Sequence, residues 1–128
     1  MKPKTIKVTY WILAVIFALF MLMDGSAGVM KEQTGQDVMN HLGYPIYIMV
    51  ITGAAKILGA VAILQTKFKT IKEWAFAGFA FNFIGASASR AFVGDSIGLI
   101  IFPMIILAVM FAVYYFWKQY EQVKSAAN

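Results

Sequence analysis

Residues 44–64 read YPIYIMVITGAAKILGAVAIL, an apolar and small-residue run whose one charge is Lys56. At 1.5 Å per residue a helix of this length spans about 30 Å, the thickness of a bilayer's hydrocarbon core. The run is therefore expected to cross a membrane. The question it raises is why an ammonium sits within it.

Outward from this stretch, three more runs of roughly 20 apolar residues follow the same rule, at 8–27, 74–93 and 97–117. The composition agrees: the 128 residues are 61% hydrophobic and 13% charged, and mean hydropathy is +0.73, far above an ordinary soluble domain. The expected fold is all-α, an integral membrane up-and-down four-helix bundle forming one transmembrane domain over residues 1–128. The opening MKPKTIK, with Gly25, Ser26 and Ala27 after the first run, has the outline of a signal peptide. Its apolar run, about 16 residues, is long for a signal core, so it is read as the first membrane helix. Cysteine is absent, which excludes disulfides and thiolate metal sites.

The formal net charge of +5 is distributed as topology rather than as a nucleic-acid surface. Lys2, Lys4, Lys7, Lys67, Lys69, Lys72, Lys118 and Lys124 fall on one side of the four spans, and Lys31 and Arg90 on the other. The positive-inside rule then puts both termini in the cytoplasm. The expected location is the cell membrane, multi-pass, in a bacterial inner membrane. Trp11, Trp74 and Trp117 are expected at the cytoplasmic interface, and Tyr44 at the outer one. TIKE, residues 70–73, has the form of a capping box, and Pro45 suits the first turn of the second span. In the long outer connection, Val38, Met39 and Leu42 fall on one side of a short helix lying on the membrane; an irregular polar loop fits equally well. Asp95 or Ser96 is placed to cap the fourth span, where Pro103 is expected to introduce a kink.

The polar residues inside the spans identify the candidate site. Lys56 and Asn82 both lie about 13 Å from the cytoplasmic ends of their helices, hence at one level. A lysine at a helix centre costs about 2.5–3.5 kcal/mol on insertion scales and faces the bundle interior or a wet cavity. Lys56 is thus expected to lose its proton on burial, to reach Asp24 through water, or to meet a bound anion, carbonyl or quinone oxygen. Asp24 and Arg90 close their spans at matching depth, where an ion pair or a shared polar network is expected, with His41 above them and Tyr44 and Ser89 nearby. Gly53, Lys56, Gly59 and Ala60 on the second span form one narrow seam of small and polar residues. Ala75, Gly78, Asn82, Gly85 and Ser89 on the third form another. The two seams are expected to pack together, with Phe76, Phe79 and Phe83 directed elsewhere.

HLGYP (41–45), GAAKILGA (53–60), KEWAFAG (72–78) and GASAS (85–89) together resemble the DoxX-like family of small membrane proteins, over nearly the whole chain. The resemblance implies an up-and-down four-helix membrane bundle. In function it implies association with quinone-linked sulfur-compound oxidation or membrane redox-stress complexes, and distant relatives resemble assembly factors for membrane receptors. Tyr44, Pro45, Lys56, Gly59, Glu73, Trp74, Gly78, Gly85 and Ala86 match the family pattern. Asn82 and Arg90 stand where acidic and histidine choices are commoner. No catalytic assignment comes with the resemblance.

The residues themselves contain no paired-carboxylate motif, no serine or cysteine nucleophile beside a histidine and no metal-ligand spacing. The first expectation is a binding subunit for a quinone-like or lipid-like molecule or for a redox partner. Its pocket would be built from Lys56, Asn82, Asp24, Arg90, Tyr44, Ser89 and His41. Quinone is the cofactor class left open, and neither metal nor haem is expected. The second is an assembly or scaffold protein for another membrane protein; a homo-oligomer is open in either case, and nucleic acid is not a partner. The third is a small proton-coupled exporter, opposed by the lysine asymmetry and by the place of Asp24 near the end of its span.

Overall fold

Pro3 opens helix α1, Pro3–Val29, at a position where a missing amide proton leaves no bond unmade. The computed structural model describes residues 2–127 and continues with α2 (Gln33–Leu42), α3 (Tyr47–Leu64), α4 (Lys69–Phe92) and α5 (Ile97–Ala127). The described residues are thus all-α, with five helices. Three of them, α1, α3 and α5, are long and apolar enough to cross a membrane; α4, at 24 residues, is long but carries more polar positions.

Local chemistry sets the boundaries. The outer connection does form a helix, α2: the Glu32 carboxylate accepts from the Thr34 and Gly35 amides at its start. These bonds hold that acid below its ordinary range. Gly43, at φ +83°, ends α2 in a left-handed conformation that glycine adopts without a Cβ clash. Pro45 falls before α3 rather than within its first turn; its carbonyl accepts from the Ile48 amide, closing a turn that leads into the helix. TIKE is not a capping box here. Helix α4 already begins at Lys69, so Thr70 lies inside the first turn. Gln65 does the turn's work, its Oε1 accepting from the Lys67 and Phe68 amides. Helix α5 runs on through Pro103, where Ser87 of α4 donates to the Ile100 carbonyl at 2.6 Å, in the turn that the proline interrupts.

The four long helices close a ring in which α1 touches α3 and α5, and α4 touches α3 and α5. Neighbours run antiparallel: Gly25 meets Gly53 while Gly28 meets Met49, and Phe76 meets Trp117 while Ser87 meets Ile100. Helix α2 sits at one end of the ring. At α1–α3 the backbones touch. A Cβ at Gly25 would lie 2.6 Å from the Gly53 oxygen, and one at Gly28 would lie 2.7 Å from the Met49 oxygen.

The expected orientation of α4 is reversed. Phe76, Phe79 and Phe83 are buried in the core with Phe17, Met21, Met110 and Trp117, whereas Gly78 and Gly85 are exposed with open space above them. Four helices in a ring enclose a central volume that glycine and alanine cannot fill. Large rings restore contact there, since a void forfeits dispersion energy whatever surrounds the protein. Trp117, expected at the interface, is for the same reason 1% exposed.

Gly25→Val is expected to lower the melting temperature in detergent sharply, by about 1–3 kcal/mol of overpacking. Gly85→Ala, inside α4 with open space above it, is expected to leave stability unchanged or to raise it by up to about 1 kcal/mol. Thermal unfolding followed by circular dichroism checks the contrast.

Candidate functional site

Helices α3 and α4 are held apart at mid-length. The ring of Phe79 sits so close to Gly59 that a Cβ there would lie 2.8 Å from it. Beside this contact both walls are small: Ala55 and Ala62 on α3 face Ala75 and Gly78 on α4. They leave a groove of about 610 Å³, within the range of small-molecule sites. Leu58, Trp74 and Phe81 rim it, and all three are largely exposed on the outside of the ring. The groove therefore opens sideways, where lipid would lie.

Its polar atoms cluster in one region. Lys56, Thr52 and Asn82 belong to the wall, while Ile71, Trp74 and Ala62 line the part nearer the α3–α4 turn. The Thr52 hydroxyl donates to the Ile48 carbonyl at 2.9 Å. The Lys56 ammonium donates to Asp24 Oδ2 of α1 at 2.6 Å, with the lysine side chain 20% and the carboxylate 50% exposed. Asn82 lines the groove and makes no side-chain hydrogen bond among the described residues. The two small-residue seams thus face each other across a gap instead of packing. Gly53 leaves its seam for α1, and Gly85 stands outside the groove.

The expected Asp24–Arg90 pair does not form. Asp24 is used by Lys56, and Arg90 Nη1 donates to Asp95 Oδ2 at 3.1 Å. The reason is reach. The glycine contact brings α1 against α3, so the long lysine side chain meets Asp24 directly, while Arg90 finds a carboxylate five residues along its own chain. Asp95 serves that network rather than capping α5. His41 Nε2, at the end of α2, lies 2.6 Å from Asp95 Oδ1. These bonds from His41 and Arg90 hold the Asp95 carboxyl below the ordinary aspartate range. Tyr44 Oη and Ser89 Oγ are 2.7 Å apart; Ser89 gives its proton to the Gly85 carbonyl, so Tyr44 is the donor. His41, Tyr44, Ser89 and Arg90 therefore tie α2 and its linker to the end of α4 and the α4–α5 turn, and these four do not line the groove.

One buried polar group carries no sequence signal of its own. Lys72, counted among the surface lysines, is 3% exposed. Its ammonium donates to the Tyr10 hydroxyl at 2.7 Å and stands over the rings of Tyr10, Trp11 and Trp117 at 5.2–6.0 Å, the geometry of cation–π attraction. Neighbouring charges are paired on the surface: Lys69 with Glu121 at 2.8 Å, and Lys118 with Glu73. Only the proximity in sequence of Tyr10–Trp11 and Tyr114–Trp117 hinted at such a cage.

A sequence model of the DoxX-like family matches residues 12–113. No curated protein and no solved structure matches the chain.

Two outcomes follow from these networks. Tyr10→Phe is expected to cost about 1–3 kcal/mol by leaving the buried ammonium without an acceptor, and most of that cost should vanish in a Lys72→Met background, as a double-mutant unfolding cycle would read. The Asp95 contribution has the sign of a lowered acid: it is present above the unfolded carboxyl range, near pH 3.9, and is lost as pH falls through the still lower folded value. The protection factors of the amides at Asn40–Gly43, each taken against the intrinsic rate at the same pH, should thus fall on acidification below about pH 4 and be already low at neutral pH in Asp95→Ala.

Proposed function

The chain belongs to the DoxX-like family, and from that premise we propose that it is a membrane binding protein. It takes an amphipathic molecule, quinone-like or lipid-like, from the bilayer into the groove between α3 and α4. On this reading α1, α3, α4 and α5 all cross the membrane, both ends of the chain face the cytoplasm, and the membrane is a bacterial inner membrane. The eight-to-two lysine and arginine asymmetry of the sequence supports that orientation.

The observation that carries the proposal is the groove itself. It is an apolar cleft of about 610 Å³ with a small polar region, cut into a face made of exposed apolar side chains. Apolar walls with few polar groups are the usual build of a small-molecule site. A side opening suits a ligand that is already dissolved in lipid, since such a molecule needs no path through water. Asp24 and Asn82 divide the polar work: the carboxylate neutralises Lys56, and the carboxamide supplies hydrogen-bonding atoms.

Native mass spectrometry in a mild detergent tests the reading. The wild-type protein is expected to retain a small molecule that Lys56→Leu loses, with the variant still monodisperse on size exclusion. A bare wild-type protein, or one that carries only another polypeptide, would overturn it in favour of a scaffold.

A further inference from the structure

We infer that the head group held in the groove is uncharged, a hydroxyl or carbonyl on an apolar chain, and that the chain lies toward Trp74. The inference rests on the binding reading above and specifies its ligand class. It follows from charge balance. Among the described residues the groove's one ionic side chain is Lys56, and its ammonium is already matched by Asp24 at 2.6 Å, so the pair presents no net charge. Thr52 and Asn82, the other polar residues of the wall, are neutral.

An anionic head would therefore gain no unpaired cation and would have to compete with Asp24 for Lys56. It would also bring a bare carboxylate or sulfonate to a depth where an unpaired ion is costly. A hydroxyl or carbonyl meets none of these costs. Lys56 has three N–H donors and gives one to Asp24. Asn82 offers both a donor and an acceptor. Thr52 donates to a backbone carbonyl, which leaves its oxygen free to accept. A hydroxyl head can donate and accept among these atoms, and a carbonyl can accept.

The direction of the chain follows from where the polar atoms lie. Thr52, Lys56 and Asn82 hold one part of the groove. The other part, toward the α3–α4 turn, is walled by Ala62, Ile71 and the exposed indole of Trp74. A phospholipid has the opposite arrangement for this site, with its charged head at the interface and only its chains at depth.

The test compares two probes of equal chain length, a dibrominated hexadecanol and the corresponding permanently charged hexadecane sulfonate. Each is added to the protein in phosphatidylcholine nanodiscs. The signal is bromine quenching of the tryptophan fluorescence component that Trp74→Phe removes. The alcohol is expected to quench at concentrations roughly tenfold below the sulfonate. Asp24→Asn, which keeps an acceptor oxygen for Lys56 but removes the compensating charge, is expected to reverse that order. Equal or stronger quenching by the sulfonate in the wild type would overturn the neutral-head assignment while leaving a binding groove. Quenching by neither probe above the level of Trp74→Phe would overturn the groove as a binding site altogether.

Discussion

The contact of Gly25 and Gly28 with Gly53 is the constraint on which the rest depends. With no Cβ on either side, the α1 and α3 backbones meet at distances that any side chain would forbid. Asp24 stands next to Gly25 and Lys56 stands one turn from Gly53, so the same contact brings the carboxylate to the ammonium. A lysine that would be costly alone in an apolar helix thereby becomes half of a neutral pair. Close packing at one crossing and charge balance at the next turn are one structural event.

The remaining crossings are governed by volume. Helix α4 cannot approach α3 as α1 does, because Phe79 occupies the space over Gly59, and Phe76 and Phe83 turn with it into the centre of the ring. The aromatic face fills the core, and the small face is left to the outside. The gap between α3 and α4 is the consequence: small residues line both walls while a ring props them open. A groove formed in this way needs no hinge or loop.

Much of the architecture was legible in the sequence, because span length, apolar composition and helix punctuation are local properties. The apolar runs that predicted spans at 8–27, 44–64 and 97–117 correspond to α1, α3 and α5, and the amphipathic spacing of Val38, Met39 and Leu42 predicted α2 as one of two alternatives. Which face of α4 points inward was not legible. In water the apolar face must be buried, but phenylalanine and glycine are both tolerated by lipid, and only the volume to be filled decides. The level shared by Lys56 and Asn82 followed from helix rise alone, and both residues line the groove. The partner of Asp24 did not follow, because depth counted along a helix axis ignores the reach of a lysine side chain. Lys72 was missed for a related reason: a lysine at a helix start reads as a surface charge until Tyr10, Trp11 and Trp117 from two other helices are known to surround it.

The two interior lysines show how this protein divides its charges. Lys72 is enclosed by aromatic faces and one hydroxyl, with no ionic partner in contact among the described residues; that arrangement locks an end of the ring. Lys56 has an ionic partner and borders an open groove. Pairing it lowers the penalty of its charge but leaves N–H groups in a place that a lipid-soluble molecule can reach. A side chain needed only for packing would be better replaced there by leucine, since exchanging a buried ion pair for apolar residues is often neutral or stabilising. Retaining a neutralised ammonium at the polar part of an apolar groove makes physical sense when its remaining hydrogen-bonding capacity is used, and an uncharged head group arriving from the bilayer is what could use it.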